Sequence, residues 1–571
     1  MKKCLLVIFV VLGASVYSQN QVIDSLIKVK GSNFFVDEEN IPDAVVYTKT
    51  NGNQVYIEHR GIKMWCDQAL LYKTDNFLRA LGNVRMNQGD TLTLVSDFAE
   101  YNGSSQLAFA NGSVKMTSPD TTLETDSLFF DRSKQQAYYR SGGIVKDTAS
   151  TLRSRIGRLF IKEKKYQFLD KVTVTNKEYT INSNHLNFYS ETGHAYLYGP
   201  STITSTTSKV YCERGFYDTR NDHGYFVKNS RIDYESRTIW GDSLYFERNT
   251  GFASATNNII VLDTINKSII NGHYAEVFRK QDSVFITKRA VAISTQDQDS
   301  VYIHADTLMI TGPDDKRVVR GFYDARLYKK DLSGKADSIV SIQSKGITKM
   351  ITNPILWSAN SQITGDTIFL YGNNNSEKLD SLHVFFNAFM IDQDSSGGYN
   401  QIKGKELKGF FNDKNEIKTI KVDRNVENLI YSRNEENELI GINKGTSGSM
   451  NVDFEDRAIV MITTFDNPED KTYPPDKLPE NVRKLRDFKW RSTEAMNSKN
   501  DLFKGKKPPV LPVIEGIPPP AVEIDFFESL KEVRLNENSR IKKKDLKTRE
   551  TDKVPKTLKT TTKSKSSKSG K

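Results

Sequence analysis

The stretch "SDFAEYNGSSQLAFANGSVKMTSPDTTLETDSLFF" (96–130) decides the fold. Near its start a polar residue, Asp97, is followed two and four places on by Ala99 and Tyr101. Near its end Asp126 is followed in the same way by Leu128 and Phe130. Apolar residues alternating with polar ones at period two mark a strand with one buried face. Between the two phrases lies "NGSVKM" (111–116), a second alternating run introduced by turn-forming residues. Reading outward, the polar residue of the phrase falls at Asp67, Asp97, Asp126, Arg155, Asn184, Glu213, Asp242, His273 and Asp306. The steps are 30, 29, 29, 29, 29, 29, 31 and 33 residues. A further copy sits at Asp366, with weaker ones near Lys405 and Gly448.

A fixed period of this kind is the signature of a repeat architecture. Each unit supplies about two strands and cannot bury its apolar face alone. Stacked units can, and their interiors join. The expected fold class is therefore all-β, a solenoid of units of about 29 residues. The repeated polar residue varies among Asp, Arg, Asn, Glu and His, so its chemistry is not kept. A turn or strand-entry role fits it better than calcium binding or catalysis. The apolar ladder has two readings that the sequence leaves open, a dry core or a trough that admits a ligand.

Composition agrees with a folded β protein: 37% hydrophobic, 27% charged and 10% aromatic residues suit half-buried strands better than disorder. Lys2 and Lys3 precede an apolar run, Leu5 to Leu12, and small or polar residues through Ser18. This predicts an export signal over 1–18, cut after Ser18. Residues 25–200 read as the best-defined repeats, 201–312 as their continuation, and 313–466 as a looser second set after a break carrying Pro313, Pro354 and Trp357. Residues 467–505 read as a short helical or irregular segment, and 506–571 as a Pro-rich linker and a Lys-rich disordered tail. The formal net charge of +10 sits largely in that tail, where 541–571 hold twelve Lys/Arg against three Asp/Glu. A near-neutral body is not the footprint of a nucleic-acid binder. The tail is read either as solvated or as touching an anionic surface or lipid phosphates.

Removing the signal leaves Cys66 and Cys212, which occupy the same place in units five repeats apart. One or two strand spacings per unit put them roughly 24–48 Å apart. A disulfide needs Cα atoms within about 7 Å, so two free thiols are expected. The seven histidines form no HxH or HExxH pair, and no P-loop, Gly-rich dinucleotide fingerprint or G-x-S-x-G elbow is present. No catalytic residue, metal site or cofactor is expected.

The phrases "CDQALLY", "SDFAEY" and "TDSLFF", each followed by "GNVRM", "NGSVKM" or "GGIVK", resemble the OstA-like family. That family includes the periplasmic lipopolysaccharide-transport bridge proteins of the LptA type. The resemblance is clearest over 55–200 and drifts to about 465. It implies an open, V-shaped β-jelly roll, or β-taco, with an apolar groove. Such a fold binds lipopolysaccharide acyl chains, stacks end to end with partner jelly rolls by strand pairing, and performs no catalysis. The implied location is the periplasm, in association with the outer membrane. On that basis the acyl-contacting residues are Leu71, Tyr101, Leu128, Phe130, Leu159, Leu186, Phe188, Leu244 and Phe246, with Val84, Val114, Val145 and Val172 opposite. Two other readings compete, an exported β-helix acting on polysaccharide and a structural surface solenoid with a dry core.

Overall fold

The computed structural model describes residues 26–517, apart from 31–32, 296–299, 314–315, 374–377, 413–415, 435, 437 and 457. The expected export signal and Lys-rich tail lie outside the described residues. Those that are described form 38 strands joined in one antiparallel sheet, with no α-helix. Its repeating element is a strand of eleven or twelve residues that bends near its middle. Phe77–Gln88, Leu92–Asn102 and Leu107–Thr117 are consecutive examples.

The bend explains the 29-residue period. Pairing between Phe77–Gln88 and Leu92–Asn102 runs from Phe77 to Leu81, breaks, and resumes at Val84, so that Gly82 and Asn83 oppose the single residue Asp97. Gly82 and Asn83 both take positive φ, 74° and 44°. Two left-handed residues facing one extended residue make a bulge that turns the strand sharply. Glycine adopts this conformation freely and asparagine at small cost. The same break recurs along the chain at 170–171, 228–229, 257–258, 288–289, 323–324, 352–353, 386–387, 424–425 and 466–467. The repeated polar residue faces these pairs. Asn83 donates to Asp67 at 2.8 Å, Asn229 to Glu213 at 2.7 Å and Asn258 to Asp242 at 2.8 Å. Arg155 pairs with Asp170 in the opposite sense. The repeated residue is thus a latch at a mid-strand corner, and any side chain that can reach its neighbour serves.

The corners line up as a spine, and the sheet folds along it into two wings whose inner faces meet. This is the open, repetitive β-taco. Parity flips at each corner, so Leu92 and Leu94 before the bend and Ala99 and Tyr101 after it all point inward. Two apolar cores follow one another along the stack. The first runs from Ile27 to Phe226 and the second from Leu244 to Val452, with Ile232 packing on both. Beyond Asp306, corners fall at Asp337, Asp366, Lys405 and Gly448. The spacing widens because strands lengthen, reaching 16 residues in Lys378–Gln393 and 17 in Ile417–Arg433 and Leu439–Glu455. The stretch carrying Pro313, Pro354 and Trp357, expected as a break or altered curvature, contains the paired strands Val318–Lys329 and Leu332–Ile342, whose register shifts between Phe322 and Ala325.

After the last edge strand, Glu469–Tyr473, the chain turns back and runs across the outside of one wing as a strap. Only short 3-10 turns form within it, at Glu480–Val482, Ser492–Glu494 and Lys499–Phe503. Leu478 and Leu485 cover Phe389, Ile391, Leu429 and Ile442, while Met496 and Leu502 cover Val291. Two buried glutamines on the wing fix its backbone. Gln401 accepts from the Leu485 N–H at 2.8 Å and donates to the Arg483 carbonyl at 2.9 Å. Gln362 does the same with Arg491 and Lys489, both at 2.8 Å. Backbone captured by side chains of the sheet is not free to close helical hydrogen bonds.

Candidate functional site

The space between the wings is not uniform. Near the N-terminus it is filled. Met64, Met86, Leu94, Leu128 and Phe130 pack together and leave a void of only about 10 Å³. Ties cross from wing to wing: His59 Nδ1 lies 2.8 Å from the Tyr101 hydroxyl, and Arg132 donates to the Arg60 carbonyl.

Further along, the wings part around a cavity of about 800 Å³. Val145, Leu152, Val174 and Ile181 line it from one wing, and Leu159, Ile161, Tyr166, Phe168, Leu186 and Phe188 from the other. Gly143–Lys146 and Thr151–Ser154 pair as the hairpin that forms the first of these wings beside the cavity. At the spine the Tyr139 ring fills the corner, with its hydroxyl 2.7 Å from Ser154 Oγ. Gly143 and Gly157 make room for that ring, since a Cβ on either would come within 2.4 Å of it. Burial pushes the Tyr139 phenol up to about 12, so it stays neutral. The cavity lies within the 300–1,000 Å³ usual for ligand sites and has the apolar walls they share. Its rim is mixed in charge, with Asp120, Asp147, Glu191, Lys164 and Arg220.

Beyond this cavity the wings are clasped again. Arg248 pairs with Glu178 across the mouth, Arg279 donates to the Tyr234 hydroxyl, and Arg317 holds Asp263 at 2.6 Å. Arg237 reaches the same Asp263 oxygen at 3.2 Å. Burial pushes the Asp263 carboxyl up, but hydrogen bonds from Asn266 and the Arg317 charge outweigh it and hold the group below the usual carboxylate value. Past the clasp a second cavity of about 500 Å³ opens in the second core.

All thirteen residues expected to meet acyl chains point into the interior. Eleven are buried, and Phe188 and Phe246 are half-buried against the first core. Val145, Leu159, Leu186 and Phe188 line the larger cavity. Leu128 and Phe130 line the 10 Å³ void. Leu71, Val84, Tyr101, Val114 and Val172 sit in the first core and Leu244 in the second. Sequence reasoning did not single out Ile161, Tyr166, Phe168, Val174 and Ile181. Tyr166, Phe168 and Ile181 carried the same period-two alternation, in "KYQFL" (165–169) and "YTINS" (179–183), and Val174 carried it in "DKVTVT" (170–175).

Cys66 and Cys212 are free and buried, and burial pushes both thiols up to about 12, away from reactivity. Among the described residues no group of three or more His, Cys, Asp or Glu side chains is placed to hold a metal ion. No described helix is long and apolar enough to cross a membrane.

No curated protein matches the chain. One similar solved chain is LptH, described as the LptA-homologous periplasmic component of the lipopolysaccharide transport device from Pseudomonas aeruginosa. It is 13% identical, with 17% of this chain and 75% of that chain covered and a TM-score of 0.17. The family model described as OstA-like protein matches residues 28–184, a span that takes in the filled N-terminal end and most of the larger cavity. By that match the chain carries an OstA-like domain over residues 28–184.

Proposed function

We propose that the protein is a non-enzymatic lipid carrier of lipopolysaccharide transport, exported to the periplasm and working at the outer membrane. The observation that carries this reading is the cavity of about 800 Å³ between the wings, apolar on both sides and lying largely within the OstA-like span. Sheltering fatty chains needs apolar walls and no covalent chemistry. Each buried CH₂ contributes about 0.8 kcal/mol, so a twelve-carbon chain gains roughly 9 kcal/mol at most. A ladder of similar walls holds such a chain without trapping it in one deep minimum. Leu159, Leu186 and Phe188 are the contacts we assign first, with Val145 opposite.

The ends of the stack support pairing with a partner jelly roll. At the N-terminal edge, Lys28–Lys30 closes one wing and Asn33–Val36 the other, with Phe34, Phe35 and Val36 exposed. At the far edge, Glu469–Tyr473 and Ala458–Phe465 take the same places, with Val460 and Met461 exposed. Unpaired strand edges accept another chain's strand. A basic edge facing an acidic one, and an apolar edge facing an apolar one, suit head-to-tail addition.

The test is site-specific photo-crosslinking in cells. A photoreactive residue at Phe188 or Leu159 is expected to capture lipopolysaccharide, and one at Lys115, on the outer face, is not. Phe188→Asp is expected to abolish capture at Leu159. Equal labelling at Lys115 and Phe188, or no lipid adduct at either cavity position, defeats the proposal.

A further inference from the structure

The strap covers the outside of one wing of the second core and leaves the outside of the other wing bare. Under the strap the outward residues Phe389, Ile391, Leu429 and Ile442 are apolar and buried. On the bare wing a direct cross-strand row runs Lys349, Phe369, His383, Lys408, Lys421. Ile368, Val384, Leu407 and Ile420, next to these along their strands, lie in the second core, so the row itself points outward. Apolar side chains stand among its bases. Phe385 packs on Phe369 with ring centroids 4.9 Å apart, and Phe386 is 51% exposed, Phe465 43% and Phe410 38%. Three of the rings each carry a lysine. Lys349 lies 4.7 Å from the centre of Phe369, Lys405 5.7 Å from Phe386 and Lys421 5.8 Å from Phe410. From Ile347–Ile351 to Ala458–Phe465 the face spans seven paired strands, or about 29 Å.

Packing within the chain does not account for this face. Phe386 opens a corner at a φ of 56°, a backbone conformation that is costly for an aromatic residue, and its ring is turned to water. Tyr323 does the same at an earlier corner, with a φ of 65°. Lys408 and Lys421 stand directly opposite each other, a like-charge pair that weakens a sheet, and neither has an ion-pair partner among the described residues. Of the carboxylates on the same face, Glu406 is taken by Arg424 and Asp453 by the Thr419 hydroxyl at 2.8 Å, while Asp423 stands near His383. At the adjoining corner Asp366 is held by Asn387. Protein–protein interfaces gather aromatic residues but are depleted in lysine. A ring with an ammonium beside it suits a membrane surface, where the ring enters the acyl boundary and the ammonium stays among the phosphates.

We propose that this outer face, with Lys349, Phe369, Phe386, Lys405, Phe410 and Lys421, docks on an anionic phospholipid bilayer. The acids offset part of its basic charge, so burial of the rings supplies most of the affinity and the lysines supply the preference for anionic lipid. The face lies outside the wings, and membrane contact here does not depend on what the cavities hold.

The test uses the purified full-length protein and vesicles of phosphatidylcholine, alone or mixed equally with phosphatidylglycerol. A Lys-rich tail draws a protein to anionic vesicles by itself, so the readout sits on the wing. Cys66 and Cys212 are buried, and Cys4→Ser removes the third cysteine, so a single introduced cysteine takes an environment-sensitive fluorophore. On Ile351→Cys, in the bare face, the label is expected to shift to the blue with mixed vesicles and to be quenched by doxyl-labelled phosphatidylcholine. On Glu480→Cys, on the strap, it is expected to do neither. Phe386→Ser with Phe410→Ser, both at exposed positions, should weaken the Ile351→Cys response at least about tenfold in lipid concentration. Lys408→Gln with Lys421→Gln should reduce the preference for mixed vesicles, by about fivefold for each lysine that meets the surface. A silent label at Ile351→Cys overturns the proposal, including when the protein still sediments with vesicles through its tail. So do equal responses at Ile351→Cys and Glu480→Cys, or an unchanged response in the double Phe variant. A blue shift that grows with protein concentration in the absence of lipid would assign the face to a second copy of the chain and overturn it too.

Discussion

Removing the Asp263 carboxylate should unfasten the clasp between the two cavities. Asp263 is 1% exposed and Arg317 8%, their charged atoms are 2.6 Å apart, and Arg237 stands 3.2 Å from the same oxygen. At an effective dielectric of 20, opposite charges about 4 Å apart attract by about 4 kcal/mol, most of which offsets their desolvation. The intact pair therefore adds little net stability. Breaking it is another matter, because Asp263→Ala takes a buried carboxylate away from the Arg317 guanidinium, at a cost of about 3–5 kcal/mol. In a solenoid the effect stays near the lesion. The assay is hydrogen exchange followed by mass spectrometry on peptides covering 259–263 and 318–322. A loss of 3 kcal/mol speeds exchange there by more than a hundredfold. The double variant Asp263→Ala, Arg317→Met should recover much of the protection, since the buried charge facing the lost carboxylate goes with it. Acid gives an independent check. The folded-state pKa of Asp263 lies below the ordinary 3.8, so its contribution is complete above that value and is lost as pH falls through the lower one. Exchange at these peptides should thus be flat from neutral pH to about 5, after correction for intrinsic rates. A change of less than about fivefold in Asp263→Ala, or a double variant no better than the single, would refute the argument.

The remaining expectations concern packing. Gly157→Ala drives a methyl into the Tyr139 ring, whose nearest atoms would lie 2.4 Å away; overpacking of this kind should cost about 1–3 kcal/mol, read as faster exchange at 156–160. Leu502→Ala removes a 2% exposed side chain from the strap's seat and should cost about 2–5 kcal/mol; limited proteolysis should then cut 490–510 earlier than in the parent protein. Neither Cys66 nor Cys212 should react with a maleimide at neutral pH until the protein is unfolded, because both thiols are buried and remain protonated.

The corner spine was legible from the chain because each corner places a polar residue two before an inward apolar one. Even the weak copies near Lys405 and Gly448 fall at corners. Asp337 escaped notice because its second apolar place is Ser341, at the half-exposed lip of the second cavity rather than in the packed core. The cavities were not legible. Alternation tells which side chains face inward, yet it is the same for Leu128, which is packed solid, and Leu186, which borders open space. What separates them is the space between the wings, which Met64 and Met86 fill beside Leu128 and which stays open beside Leu186. Between the helical and irregular readings of 467–505 the sequence did not choose, since the backbone there is held by Gln401 and Gln362, some eighty and more residues earlier in the sequence.

The strap has a further consequence for assembly. Because the polypeptide doubles back, it leaves the described fold at Ile517, next to the strand where Asn257 donates to the Pro512 carbonyl at 2.9 Å. Its exit is therefore on the flank of the stack, and the terminal rung, Ala458–Phe465 with Glu469–Tyr473, is not plugged by the strap's own residues. An open rung of this kind is what the proposed end-to-end strand pairing requires.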